Sequence, residues 1–325
     1  MSTDVLCLRP EADFTRVDAP PPASLHVTYR ESDDHALADF MRAADALIIP
    51  AVGPKLAPAL FERGRLKLVQ ITGAGIDRLD REALTRLGIP VANVAGGSNG
   101  AVAEYAVTTA SVLLRRFAWA DAEIKNSNYA AFRARMVADN LAGLDGLLVG
   151  LVGFGTIGQA VAQAFNRMGC RVCYHDPALR DAKAAAAIGA QTMTLDTLLA
   201  AADVVSLHVP LLPETQGLIG ERELKLMKPS AVLIQASRGG VVDEAALAEH
   251  LRAGRIGGAA VDVYSIEPPA ADNPLLKLEG EAARRLLLTP HIAGVTRQSW
   301  GILFRSAWQN VERVLRGEAP LNRVF

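Results

Sequence analysis

The sequence predicts an α/β fold of two parallel-sheet domains, and three observations carry the prediction. The first is a strand–turn–helix–strand unit at 146–177 with glycines at fixed spacing. The second is an alternation of short apolar runs and helical stretches along nearly the whole chain, the pattern that gives parallel sheets covered by helices. The third is size: 325 residues, half of them apolar, suit two domains with a core each.

The 146–177 unit organises the rest. Leu147 to Val152 is a continuous apolar run, as expected of a strand buried on both faces. Gly153, Gly155 and Gly158 then fill the spacing G-x-G-x-x-G. The first glycine permits a tight turn, the second lets a pyrophosphate approach the backbone, and the third lets helix and sheet pack closely. Gln159 to Arg167 is a helix with apolar Val161, Phe165 and Met168 on its spacing. Its N-terminus offers N–H groups and a positive dipole end to phosphates. Arg171 to Tyr174 is the next strand, and Asp176 follows, 18 residues past Gly158. A carboxylate there accepts hydrogen bonds from the adenosine ribose of a dinucleotide. It would repel a 2′-phosphate, and no arginine follows it immediately, so NAD is expected over NADP.

In chain order, Val5–Leu8, Leu25–Tyr29, Ala46–Ile49 and Leu66–Ile71 are strands, with Val91 and Ala92 a short fifth. Asp33–Ala43 is a helix whose early aspartates suit its dipole, and Arg81–Leu87 is another, closed by Gly88. Ala101–Lys125 has few breakers and is expected as one helix, about 25 residues and ~38 Å long. Asn126–Leu144 has mixed character and is expected as an arm or loop reaching a second subunit. Beyond the glycine-rich unit come helices at Ala182–Ala187, Leu195–Ala201, Glu221–Met227 and Asp243–Ala253. Strands are expected at Val204–Val209, Ala231–Ile234, Gly258–Val263 and Leu286–Leu288, and a last helix at Thr296–Arg316.

Composition narrows the function. The 34 basic and 35 acidic residues are well mixed, which argues against a nucleic-acid or polybasic membrane surface. No run of 18 apolar residues and no basic, apolar leader occurs, so a cytoplasmic protein is expected, with no membrane partner. Three cysteines cannot make a disulfide framework. Cys170 and Cys173 have redox-like spacing but fall in a predicted strand, away from a helix N-terminus that would stabilise a thiolate. No cluster has metal-ligand spacing.

In an open parallel sheet, ligands bind beyond the carboxyl ends of the strands. In the second half those positions hold Asp176, His208-Val-Pro210, Arg238, Asp262 with Glu267, and His291. Arginine holds a carboxylate bidentately and keeps its charge. Histidine exchanges a proton near neutral pH, and a glutamate beside it stabilises the imidazolium. Beside a nicotinamide, this set suits hydride transfer to a 2-oxo acid. His26, His35, His175 and His250 lack such partners; His175 reads as a strand-end residue and His250 as a surface residue of its helix. Arg135 and Arg297 read as surface salt-bridge residues.

These residues sit in longer motifs: Gly153-Phe-Gly-Thr-Ile-Gly158, Leu207-His-Val-Pro-Leu-Leu-Pro-Glu-Thr215, Ala236-Ser-Arg-Gly-Gly-Val-Val-Asp-Glu244, Val261-Asp-Val-Tyr-Ser-Ile-Glu267-Pro and Thr289-Pro-His-Ile-Ala-Gly294. Gly73-Ala-Gly-Ile-Asp77 and Val102-Ala-Glu104 precede them. In this order they resemble the D-isomer-specific 2-hydroxyacid dehydrogenase family, including phosphoglycerate dehydrogenases and glyoxylate and hydroxypyruvate reductases. The resemblance covers roughly 45–315. Gln235 departs from it, standing where the family commonly has asparagine.

The resemblance implies roles. Arg238 would bind the substrate carboxylate, His291 would be the acid and base, and Glu267 would hold His291. The N–H groups of Thr156 and Ile157 would take the pyrophosphate and Asp176 the ribose. His208, Val209, Pro210 and Thr215 would line the adenosine and pyrophosphate side. Ala236 and Asp262 would face the nicotinamide, with Gly294 close beside the cofactor. Ala74 and Gly75 would bind the carboxylate through backbone N–H groups, and the loops at Ala74, Ser98 and Trp300 would set side-chain specificity. It implies two Rossmann-like parallel-sheet domains, the NAD-binding domain at 98–291 inserted into a substrate-binding domain of 1–97 and 292–325. It also implies a homodimer. The expected reaction is NAD(H)-dependent reduction of hydroxypyruvate, glyoxylate or a 3-phospho or 3-sulfo analogue. The alternative reading is an NAD-binding corepressor-like regulatory protein of the same fold.

Overall fold

The computed structural model describes residues 3–178 and 180–325. Two compact units divide the chain: Met1–Ser98 with Val295–Phe325, and Asn99–Gly294.

The first unit begins with β1 (Asp4–Cys7), α1 (Glu11–Arg16), β2 (His26–Tyr29), α2 (Leu37–Ala43), β3 (Ala46–Ile49), β4 (Leu68–Ile71), α3 (Arg81–Arg86) and β5 (Val91–Ala92). The second runs through α4 (Asn99–Leu114), α5 (Phe117–Lys125), α6 (Tyr129–Ala138), β6 (Leu148–Val152), α7 (Thr156–Arg167), β7 (Arg171–His175), α8 (Ala182–Ile188), β8 (Ala190–Thr192), α9 (Leu195–Ala201), β9 (Val204–Leu207), α10 (Glu221–Leu226), β10 (Val232–Gln235), α11 (Glu244–Arg252), β11 (Gly258–Val261), α12 (Gly280–Arg284) and β12 (Leu286–Leu288). The chain then returns to the first unit in α13 (Arg297–Leu315).

The first unit's sheet has the order β2-β1-β3-β4-β5, all parallel. All four residues of β3, Ala-Leu-Ile-Ile, are buried, as in a central strand covered on both faces. α13 supplies one cover. Its Phe304 and Trp308 meet Phe14 at centroid distances of 4.7 and 5.0 Å, and Trp308 Nε1 donates to the Ala19 carbonyl at 3.2 Å. Replacing either α13 ring by alanine costs about 3–5 kcal/mol, the usual result for a large buried aromatic. Polar Gln70, buried in β4, is satisfied by Asn310 of the same helix at 2.6 Å.

The second unit's seven-stranded sheet has the order β12-β11-β10-β9-β6-β7-β8, also all parallel. The chain starts at β6, builds outward through β7 and β8, then returns to β9 on the other side. That reversal makes a topological switch point between β6 and β9, where ligands of such sheets bind. Val152 and Leu207 are partners in register there, so Gly153 and His208 leave the sheet side by side.

The structure corrects several sequence expectations. The single helix over 101–125 is two helices, broken at Arg116, whose φ of 52° is left-handed. There its guanidinium pairs with Asp139 and lies 5.4 Å from the Trp119 ring. The stretch 126–144 contains α6, anchored by Trp119 against Phe132 and by Arg135 on both oxygens of Glu281 at 2.8 and 3.0 Å. The helix expected at 33–43 starts only at Leu37, because Asp34 caps the Ala36 N–H in a preceding turn. α1, β8 and α12 were not expected. His250 is not on the surface: it is 1% exposed, because it lies three residues after Leu247 on the inward face of α11. Its Nδ1 bonds the Ala246 carbonyl at 2.9 Å.

Candidate active site

The G-x-G-x-x-G turn joins β6 to α7. Gly153 has a φ of 96°, and a Cβ on it would lie 2.5 Å from the His208 carbonyl oxygen. A Cβ on Gly158 would lie 2.3 Å from the Gly153 carbonyl. Gly155 instead faces open space. It is the N-cap of α7, and no side chain caps the helix there. Two glycines thus bring backbone together, while the third leaves room at a helix N-terminus beginning Thr156-Ile157, whose N–H groups and dipole suit an anion.

Asp176, just past β7, closes the back of this turn. Its Oδ2 accepts the Phe154 N–H at 2.7 Å and its Oδ1 the Ala178 N–H at 2.9 Å. Arg180 Nε donates to Oδ2 at 2.8 Å. Burial pushes the Asp176 carboxyl up, but the Arg180 and backbone hydrogen bonds outweigh it and hold it below its ordinary value. Phe154 stacks on Tyr174 at 4.0 Å, fixing turn and strand together.

His208 leaves β9 beside Gly153, and Val209 Cγ1 would also touch a Gly153 Cβ. The His208 Nε2 bonds Ser206 Oγ at 2.9 Å, and its buried Nδ1 has no partner among the described residues. Burial pushes this ring down to about 4, so it is neutral at pH 7. Thr215 Oγ1 donates to the Pro210 carbonyl at 2.6 Å and accepts the Leu212 N–H, locking the following loop. The open helix N-terminus, the carboxylate behind it and the orphaned buried nitrogen fit a bound dinucleotide.

Arg238 follows β10 in a loop shaped by Gln235. Gln235 Nε2 donates to the Arg238 carbonyl at 2.9 Å, while its Oε1 accepts Ser237 Oγ at 2.7 Å. The departure from the family pattern therefore carries a local job. Arg238 Nη1 donates to the Ser237 carbonyl at 2.6 Å. Ala236 lies between these anchors. Gly239 is pressed on the 264 loop, where a Cβ would lie 1.7 Å from the Tyr264 carbonyl oxygen.

That loop carries Glu267. Its Oε1 accepts the Tyr264 N–H at 3.1 Å, and its Oε2 meets His291 Nδ1 at 2.9 Å. The two side chains are 26% and 28% exposed, open enough to meet a substrate yet partly shielded. Burial raises the Glu267 carboxyl, but the His291 hydrogen bond, the Tyr264 N–H and the Arg238 charge outweigh it and hold it below its ordinary value. His291 itself has a φ of 55°, a left-handed conformation rare for a side-chain-bearing residue. Asp262 maintains it. The Asp262 carbonyl accepts the His291 N–H at 2.8 Å, and its carboxylate accepts the N–H groups of Ile292 and Ala293 at 2.8 Å each and Thr289 Oγ1 at 2.5 Å. Asp262 thus fixes the histidine segment, leaving limited acceptor capacity for another group. Gly294 ends the unit.

Within the second unit the structure brings together Gly153 to Gly158, Asp176 and His208, and brings together Glu267, Asp262 and His291. Ala74, Gly75 and Ser98 belong to the first unit, Ala74 and Gly75 in the segment after β4; Asn93 Nδ2 holds the Ala74 carbonyl at 2.9 Å. Three contributors carried no assigned role in the sequence: Arg180, Gln235 and Glu244. Arg180 stands four residues after Asp176, a spacing that could have revealed it. Glu244 sits in a recognised motif, yet its partners, Ser265 and Asn273, are distant in sequence. The three cysteines are buried, with burial the main cause pushing the Cys170 and Cys173 thiols up to about 11. Among the described residues no group of side chains could hold a metal, and no helix is long and apolar enough to cross a membrane.

Residues 107–293 match the family model for the D-isomer specific 2-hydroxyacid dehydrogenase NAD-binding domain. The chain is 36% identical to a glyoxylate reductase of Thermococcus litoralis, covering 89% of this chain and 86% of that one. It is 38% identical to a D-3-phosphoglycerate dehydrogenase of Archaeoglobus fulgidus over 78% of this chain, and spans only 46% of that relative's length. A structure of a D-isomer specific 2-hydroxyacid dehydrogenase from Lactobacillus delbrueckii ssp. bulgaricus in its NAD-complexed form is similar at 25% identity, with a TM-score of 0.82 and 99% of each chain covered.

Proposed function

This chain belongs to the D-isomer-specific 2-hydroxyacid dehydrogenase family of NAD-dependent oxidoreductases, and from that premise we propose that it interconverts a small 2-oxo acid and its D-2-hydroxy acid. The observation that carries the proposal is the Glu267–His291 pair at 2.9 Å, set in the same unit as the Arg238 loop and the glycine-rich turn.

A nicotinamide held by this unit would supply or take the hydride at the substrate's second carbon. The chain's residues do the rest. Arg238 takes the substrate carboxylate with its permanently charged, forked guanidinium. His291 has Nδ1 engaged by Glu267, so Nε2 gives the proton to the carbonyl oxygen in reduction and takes it back in oxidation. Glu267 holds the ring's orientation and stabilises the charged imidazolium. The Thr156 and Ile157 N–H groups take the pyrophosphate, Asp176 the ribose, and His208, Val209, Pro210 and Thr215 the adenosine side. Ala236, Asp262 and Gly294 would border the nicotinamide. Ala74 and Gly75, with Ser98 for the side chain, are assigned to the substrate on the family resemblance.

Hydroxypyruvate, glyoxylate and a 3-phospho or 3-sulfo analogue are the substrates we favour; relatives named glyoxylate reductase and D-3-phosphoglycerate dehydrogenase support the glyoxylate and 3-phospho members of that set. We also propose a homodimer, because α5 and α6 expose Phe117, Ile124, Tyr129 and Val137, the last two 63% and 66% exposed. Steady-state assays over a panel of 2-oxo acids test the substrate class, and analytical ultracentrifugation tests the dimer. Turnover of none of the acids, or a monomer at micromolar concentration, overturns the respective assignment.

A further inference from the structure

Asp176 is not a bare carboxylate. Arg180 Nε and Nη2 both lie 2.8 Å from its Oδ2, while the Phe154 and Ala178 N–H groups hold it from behind. The Asp176 side chain is 4% exposed and that of Arg180 35% exposed. The carboxylate is thus the fixed inner partner, and the guanidinium is the outer, movable one. The two backbone donors keep Asp176 in place whether or not Arg180 stays. A carboxylate alone repels a phosphate on the ribose 2′ position, whereas a nearby arginine accommodates it. Here both groups stand together.

We propose that Arg180 is a cofactor-selectivity residue, keeping a guanidinium N–H on Asp176 while turning the others to a 2′-phosphate, so that the chain binds NADP(H) as well as NAD(H). The proposal rests on the assignment of Asp176 to the ribose. With NAD(H), Asp176 keeps acceptor capacity on Oδ1 for the ribose hydroxyls while Arg180 remains on Oδ2. With NADP(H), the Arg180 guanidinium bridges carboxylate and phosphate, binding each through charge-assisted hydrogen bonds. The pairing also explains how a sequence with aspartate at this position need not reject the phosphorylated dinucleotide.

The test is calorimetric titration of the full chain with ADP-ribose and with 2′-phospho-ADP-ribose, which bind without any turnover. Wild type, Arg180→Ala and Arg180→Glu are compared, with thermal unfolding as a check on folding. Wild type is expected to bind both ligands. Arg180→Ala should weaken 2′-phospho-ADP-ribose by about tenfold to a hundredfold, the usual loss for a charged hydrogen bond, with ADP-ribose affinity kept or improved. Arg180→Glu should weaken the phosphorylated ligand further. Equal loss for both ligands, an unchanged affinity for the phosphorylated one, or no binding of it by wild type overturns the proposal. Failure of ADP-ribose itself to bind wild type overturns the ribose assignment and the proposal with it. A chain that binds both ligands as expected yet turns over no 2-oxo acid leaves this proposal standing and sinks only the substrate reading.

Discussion

His291 Nδ1 and Glu267 Oε2 meet at 2.9 Å, joining a histidine held in a left-handed backbone to a carboxylate on a separate loop. Neither residue is near the other in sequence, and each has its own backbone anchors: Asp262 for the histidine segment, the Tyr264 N–H for the glutamate. The pairing is therefore built by the fold and not by flexible side chains finding each other. Strained backbone kept in place by several hydrogen bonds is characteristic of functional positions.

Glu267→Gln should lower kcat/KM by about tenfold to a thousandfold, within the range of acid–base contributions, with NADH affinity unchanged. The effect on stability has a defined pH window. The folded Glu267 carboxyl lies below its ordinary value of 4.5, so its stabilising contribution is complete above that value and is lost as pH falls through the lower folded one. Urea midpoints of wild type and Glu267→Gln should differ at about pH 5 and converge as pH falls further. Convergence already at pH 6 contradicts the pairing.

Glu244 holds the loop that carries Glu267. Its Oε1 accepts the Ser265 N–H at 2.6 Å and Ser265 Oγ at 2.8 Å, and its Oε2 accepts Asn273 Nδ2 at 2.6 Å. Glu244→Ala strips three donors of their acceptor and, with the Ser265 donors open to water, should cost about 0.5–1.5 kcal/mol of stability. It should also reduce kcat while leaving the NADH dissociation constant in place, since the glycine-rich turn is untouched. A variant with altered NADH binding and normal kcat argues against this positioning role.

His208 sets a second pH dependence, of opposite origin. Burial lowers its ring from 6.5 to about 4, so the unfolded chain binds the proton first as pH falls. Stability due to the neutral buried ring is complete above about pH 6.5 and declines toward pH 4, by up to about 3 kcal/mol. His208→Asn should flatten that slope in urea unfolding of the ligand-free protein. An unchanged slope means that the ring is hydrated.

The thiols give a simple reactivity test. Cys7, Cys170 and Cys173 are buried, with burial raising them to about 12, 11 and 11. At pH 8 a disulfide reagent such as Ellman's should find almost no thiol in the native protein and all three after denaturation. Rapid native reaction of two thiols would revive a redox reading of Cys170 and Cys173.

Much of this was legible in the sequence, for identifiable reasons. Strands such as Ala46–Ile49 and Val204–Leu207 are buried on both faces, so they appear as unbroken apolar runs. The helices expected from Asp243 and after Thr194 do start there, and in the structure the side chains of both residues accept N–H groups of the first turn. The chemistry-bearing residues were visible because parallel sheets place them after strands. What was not legible depends on contacts distant in sequence. The break at Arg116 follows from its pairing with Asp139 and its place beside Trp119, neither of which weakens a local helix pattern. His250 is buried by one turn's phase on α11, where a polar residue looks like an exposed one. Arg180 on Asp176 needed the turn after β7 to be folded before the pair could form.

The most direct test of the central claim is the loss of NADH absorbance with a panel of 2-oxo acids including hydroxypyruvate and glyoxylate, run beside His291→Asn and paired with NADH binding to both proteins. The account predicts turnover of at least one acid by wild type, loss of that turnover in His291→Asn, and NADH affinity similar in the two. Equal turnover by His291→Asn, or tight NADH binding with no turnover of any acid by wild type, contradicts it.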